Sequence, residues 1–317
     1  LMQGYLPNQG GIGAMDKSKL VDNWPRMERA LVRASGFLAR QHIFDEKRLP
    51  TNIVFAVIAA CFDKIPEDGD ELGRAEQLLR AYLWSSFFTT RYEGAAATRA
   101  FQDYKGLVEL LQRQQFSAQD YSQVPVLRRD DYPLPSAEHL VRVGWPKGSD
   151  RTARAVLAVT LHFGAWDFAD GRPASFDSLK LREYHHVFPD ALLQEAGIDS
   201  FLALNCALVT WKTNRNIGRK DPLEYLQDRV DWSDEPTIRQ RLKTHLLDYD
   251  QLAKATYERE GMPMEGVEFV EVLKSDFAEF LAERAQLVEL AAKHFADGKL
   301  LSLDELIQLN QERKATA

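Results

Sequence analysis

Two adjacent histidines, His185 and His186, lie in the run Arg182-Glu183-Tyr184-His185-His186-Val187-Phe188-Pro189, and their type and placement suit work on a phosphate ester. Cutting a phosphodiester needs a base for the attacking water, a cation on the phosphate and leaving oxygens, and a scaffold holding both in line. Imidazole can be that base, because its ordinary pKa lies near neutrality. A hard cation such as Mg²⁺ keeps most of its waters and asks for few protein ligands, preferably oxygens. Side chains alternate along a strand, so the two rings point opposite ways; one can face a metal and the other a water. Glu183 either orients one of them or is a plain surface carboxylate. Further on, residues 205–220 contain Lys212, Arg215, Arg219 and Lys220 and no acid. Such a basic patch would neutralise backbone phosphates, positioning DNA without reading its sequence; the other reading is a solvated loop.

These residues need a strand, a turn and a second strand to hold them. The pattern over residues 179–187 predicts a strand running into Pro189, and that over 204–210 predicts its partner. A short polar helical turn comes next around Asn214, then a helix with Asp221 as N-cap, Pro222 in its first position and Glu224 in its third. Residues 153–163 read as a helix before the strands, and Asp170-Gly171-Arg172-Pro173 as a turn. Upstream, residues 24–112 are helical throughout: Met27, Leu31, Ala34 and Leu38 keep a 3.6-residue stripe, Arg48-Leu49-Pro50 breaks it, and residues 52–62 resume as a buried helix. Residues 71–89 and 95–111 give two more, and at helical spacing Trp84, Phe87, Phe88 and Tyr92 are core residues rather than base-stacking ones. A Pro-rich, charged connector spans 124–135. Near the end, Phe269, Leu273, Phe277, Leu281 and Val288 share one face of a long helix that Gly298 stops, and Ser302 with Glu305 form a capping box for the last. The expected fold is mainly α with a small α+β insert: a helical domain over 1–125, then a second domain over 126–317 that carries the two strands and the C-terminal helices.

The 317 residues carry a net charge of −7, which looks wrong for a nucleic-acid binder until it is mapped: from Asp221 onward there are 12 Lys/Arg against 21 Asp/Glu. Those acids decorate helix faces, and the basic patch stays local. The longest apolar run, residues 53–62, falls well short of the roughly 18 residues of a membrane span, and the first twenty residues lack the apolar stretch of a signal peptide. Two cysteines, Cys61 and Cys206, are too few for a disulfide framework or a Cys-rich zinc site, which points to the cytoplasm. The first residues read like the middle of a longer protein, so an N-terminal partner domain is expected.

The motif region resembles the HNH, or ββα-metal, nucleases. Their pattern is Asp/His-His-Ile/Val-x-Pro, an asparagine opening the second strand, and another asparagine nine residues on at the helix; Asn205 and Asn214 keep that step. The HNH domain of the RNA-guided DNA nucleases shows the same step. The resemblance narrows to the GmrSD-type restriction endonucleases, which join a ParB-like nucleotide-hydrolysing domain to a C-terminal HNH domain and include phosphorothioate-sensing members. Tyr184 to Pro189, Asn205 with Leu208, Asn214 with Ile217, and Lys220, Pro222, Tyr225 and Leu226 carry it. It is strong over residues 184–226 and looser over most of the remaining chain.

The resemblance implies that His186 is the general base, His185 a metal ligand where many relatives have Asp, Asn214 the second ligand, and Asn205 a holder of the loop by hydrogen bonds. One Mg²⁺ or Mn²⁺ would serve, with Ni²⁺ or Zn²⁺ as substitutes in vitro, and sharing it requires the His185 ring and the Asn214 oxygen to converge within about 5 Å. DNA is the implied substrate, and the ParB-like domain, whose Gln/Arg-rich nucleotide signature is absent here, the missing N-terminal partner. A catalytically inactive HNH-fold DNA-binding or scaffolding module is the alternative. A zinc-stabilised structural domain is disfavoured by the lack of cysteine pairs. His42, His139, His162, His245 and His294 lack motif context and read as structural, and Cys206 as a packed strand residue.

Overall fold

The computed structural model describes residues 1–148, 150–210, 233–253, 257–259 and 262–316. The chain is mainly α with small two-stranded antiparallel sheets. It divides into two compact units: Leu1–Gln41, Leu49–Pro135 and Ala292–Leu301 form the first; His42–Arg48, Ser136–Ala291 and Ser302–Ala317 form the second. The main break follows Pro135; residues 42–48 group with the second unit and residues 292–301 with the first.

The first unit holds α1 (Gln9–Gly13), α2 (Lys17–Asp22), α3 (Trp24–Arg40), α4 (Ile53–Phe62), α5 (Gly69–Phe88) and α6 (Ala96–Leu111). Helix α4, Ile-Val-Phe-Ala-Val-Ile-Ala-Ala-Cys-Phe, has no polar face and is buried on most sides, as an all-apolar helix in water must be. Trp84, Phe87, Phe88 and Tyr92 are core residues. The join at Arg91-Tyr92 is a buried polar knot: Asp103 accepts from Arg91 Nε at 3.1 Å and from the Tyr92 hydroxyl at 2.7 Å, and Tyr92 meets Tyr82 at 2.8 Å. Asp103 also accepts the Val126 N–H at 3.2 Å. That bond explains why the Pro-rich stretch is packed and not a free linker, with Val124, Val126 and Leu127 buried.

Residues 292–301 belong with these helices for similar reasons. Phe295 packs on Trp84 with centroids 4.7 Å apart, Arg129 donates to Ala296 O at 2.9 Å, and Arg80 to Gly298 O at 2.7 Å. Gly298 has φ +77°, and a Cβ there would lie 2.4 Å from the Gln77 carbonyl oxygen, so glycine alone fits this helix stop.

The second unit contains α7 (Ala137–Leu140), α8 (Arg151–His162), β1 (Arg182–His186), α9 (Asp190–Glu195), β2 (Cys206–Thr210), α10 (Glu235–Lys243) and α11 (Tyr249–Ala253). It continues through β3 (Glu258–Arg259), β4 (Met262–Pro263), α12 (Gly266–Ala296), whose last turn falls in the first unit, and α13 (Leu303–Thr316). Strands β1 and β2 pair antiparallel, with Arg182 opposite Thr210, Tyr184 opposite Leu208 and His186 opposite Cys206. β1 starts later than expected, because residues 178–181 form a 3₁₀ turn. Ser175 and Ser178 exchange hydroxyl-to-amide bonds there at 2.8 and 3.2 Å, a local alternative to extended pairing. Ser302 accepts from the Glu305 N–H at 3.3 Å while Glu305 accepts from the Ser302 N–H at 2.8 Å, the reciprocal cap that opens α13. Among the described residues no helix is long and apolar enough to cross a membrane.

Candidate functional site

The site is built on the exit of β1 and the start of β2. Alternation places Tyr184 and His186 on one face of β1 and Glu183 and His185 on the other. The face bearing Tyr184, Cys206 and Leu208 packs against Leu157 and Leu161 of α8, which anchors the hairpin. His185 is only 4% exposed. Cys206 is a packed strand residue whose thiol is pushed up to about 12 by burial.

Asn205 fixes the backbone just beyond His186. Its Oδ1 accepts the Phe188 N–H at 2.8 Å, and its Nδ2 donates to Phe188 O and Ser200 O at 3.0 Å each. Its own carbonyl accepts the Val187 N–H at 2.8 Å. One fully buried amide therefore ties the chain leaving β1 to the chain entering β2. Phe188 is pinned from its far side by Phe277 and Phe280 of α12, with centroids 5.3 and 5.0 Å away. Removing the amide would leave the Phe188 N–H and C=O without partners, while Ser200 O keeps the Leu202 N–H at 2.9 Å; each group left buried and unmatched costs about 1–3 kcal/mol. Asn205→Ala is accordingly expected to lower stability by about 2–4 kcal/mol, read as the shift in urea midpoint. A shift worth less than about 0.5 kcal/mol would refute this role.

His186 sits in an aromatic setting. Trp145 stacks on its ring with centroids 4.2 Å apart and planes at 20°, and Phe201 meets it edge-on at 4.9 Å and 86°. Burial holds the imidazole below its ordinary pKa, against the opposing pull of Asp190 and Asp199. At neutral pH it is therefore in its neutral, proton-accepting form.

Behind the strands lie buried groups with no place in the motif. Arg284 of α12, 2% exposed, donates to the carbonyls of Leu204, of Cys206 at 3.0 Å and of His245 at 2.9 Å, so it brackets Asn205 in sequence. Arg182 donates to the carbonyls of Ala165, Leu208 and Arg172, the last two at 3.1 and 2.6 Å. Asp167 accepts the Thr210 N–H at 2.6 Å. His245 is fully buried; its Nε2 donates to Trp166 O at 2.8 Å and its ring lies edge-on to Phe168. A signal for Arg284 existed: it falls three residues after Leu281 and seven after Phe277, on the apolar stripe of its helix, where a solvated arginine has no place. Trp145 carried no such signal.

Of the residues singled out from sequence, His185, His186 and Asn205 are brought to one strand junction. Asn214, Lys212, Arg215, Arg219 and Lys220 lie outside the described residues, as does the helix expected from Asp221. Among the described residues no three His, Cys, Asp or Glu side chains gather to hold a metal ion. The donor offered by the described part of the expected shell is the single imidazole of His185. A lone imidazole nitrogen suits a borderline ion such as Ni²⁺ or Zn²⁺ better than oxygen-seeking Mg²⁺.

No family model matches the chain, and no solved structure matches it. An uncharacterized protein of the archaeon Methanocaldococcus jannaschii is 22% identical over 154 residues, which is 47% of this chain and 25% of that protein. The chain thus spans about a quarter of the length of the curated relative it matches.

Proposed function

We propose that this chain is an HNH-type, metal-dependent DNA endonuclease, the effector part of a restriction or anti-phage defence protein. The observation that carries the reading is the junction in which Asn205 stitches the exit of β1 to the start of β2 while the neutral His186 ring sits at that exit. His186 takes a proton from the attacking water, and Asn205 holds the backbone that presents it, without touching substrate. His185, with Asn214, would hold one Mg²⁺ or Mn²⁺; when bound, that ion neutralises charge on the scissile phosphate and the leaving oxygen. Lys212, Arg215, Arg219 and Lys220 are the proposed phosphate contacts. The near-complete burial of His185 favours a second reading, a catalytically inactive HNH-fold DNA-binding or scaffolding module.

Nicking of supercoiled plasmid separates the two. The purified chain is expected to convert it to open-circular or linear form with Mg²⁺ or Mn²⁺ and to stop on chelation. Intact plasmid with every divalent ion tried, together with retained DNA binding, would leave the module.

A further inference from the structure

Trp145 and Phe201 are remote from His186 in sequence, yet they enclose its ring. The segments that carry them run side by side: Gly144 bridges Leu202 in antiparallel sense, and the Ala203 N–H donates to Val143 O at 2.9 Å. This pairing sets the two aromatic rings 5.7 Å apart at 73°, making a corner with one flat wall and one perpendicular wall. Into it projects His186, face to face with the indole at 4.2 Å and edge-on to the phenyl ring at 4.9 Å. Tyr184, on the same face of β1, adjoins Trp145 at 6.4 Å. A parallel contact resists tilting of the imidazole, and a perpendicular one resists its rotation about χ2, so together they hold both side-chain torsions. Hydrogen bonding does not do so at Nε2, which is buried without a partner among the described residues.

We propose that Trp145 is a positioning residue for His186, holding the imidazole plane in the orientation from which it takes the proton of the attacking water, with Phe201 as the second wall. This rests on His186 being the general base. Proton transfer demands that geometry, and a displacement of about 1 Å can cost on the order of a hundredfold in rate. The indole acts by its flat face, so a smaller aromatic ring replaces it in part and an alanine does not. Phe201 is 49% exposed and closes the corner from the solvent side.

The test is steady-state nicking of supercoiled plasmid in Mg²⁺ by the parent chain, Trp145→Phe and Trp145→Ala, with thermal melting and the ring-proton NMR signals of His186 recorded for each. Trp145→Ala is expected to lower kcat by about 10- to 100-fold with KM held within about twofold, while Trp145→Phe stays within about threefold of the parent. The His186 ring signals, shifted upfield by the stacked indole, should move downfield in Trp145→Ala and less in Trp145→Phe. A kcat for folded Trp145→Ala within about twofold of the parent overturns the positioning role and leaves the nuclease reading intact. So does a raised KM at unchanged kcat, which would make the aromatic pair a DNA contact, or a Trp145→Phe chain as impaired as Trp145→Ala. A parent chain that cuts with neither Mg²⁺ nor Mn²⁺ overturns the nuclease reading itself, and this role with it.

Discussion

Replacing His186 by alanine is expected to lower kcat for plasmid nicking by about 10²–10⁴-fold while DNA affinity stays near that of the parent. A general base acts in the chemical step alone, so its loss falls on kcat and not on substrate binding. The ring is only half-buried and makes no hydrogen bond at Nε2 among the described residues, so its removal costs packing against Trp145 and Phe201 but strands no polar partner there. Stability should therefore fall by no more than about 1 kcal/mol, which melting curves will report. Residual activity within about tenfold of the parent would remove His186 from the chemistry.

The second large effect is on acid stability, through His245. Its Nε2 donates to the Trp166 carbonyl, so a second proton must go to Nδ1, a buried atom with no partner among the described residues. Burial, with Arg182 and Arg284 nearby, pushes its pKa down to about 3, although the Trp166 bond and Asp167 pull the other way. The unfolded chain takes that proton as pH falls through about 6.5, and the folded chain does not. Stability is thus fully present above about pH 6.5 and falls by about 1.4 kcal/mol per pH unit below it, until the folded form protonates as well. His42 and His186 are also lowered by burial and add to the slope in the same direction. His245→Gln, which keeps a donor for Trp166 but cannot titrate, is expected to flatten the decline in urea midpoint between pH 7.5 and 5. An unchanged slope in that variant would show that the proton is taken up elsewhere.

What could be read from sequence and what could not divides along a physical line. Helix α4, the stripe of α12, the Ser302–Glu305 cap and the stop at Gly298 were legible because each is local: a 3.6-residue period, a reciprocal pair three residues apart, a backbone angle that suits glycine. Strands β1 and β2 were legible as short apolar runs, though their ends were not, since the Ser175–Ser178 exchange takes the first residues of the expected strand into a turn. The spacing of His185, His186 and Asn205 marked one place on the chain as worth attention. It did not say that both histidines would be shielded, since shielding depends on what packs over a strand. Trp145 arrives by a bridge between segments 143–145 and 201–203, and Arg284 reaches the Leu204 carbonyl from 80 residues away. His245 finds Trp166 across 79 residues. Such contacts leave no period in the sequence. They exist only once the loops have closed, and it is this packing that decided which imidazole is walled by aromatic rings and which buried guanidinium holds the strands' backbone in place, whereas the amide that ties the strands together was already marked by the place of Asn205 in the motif.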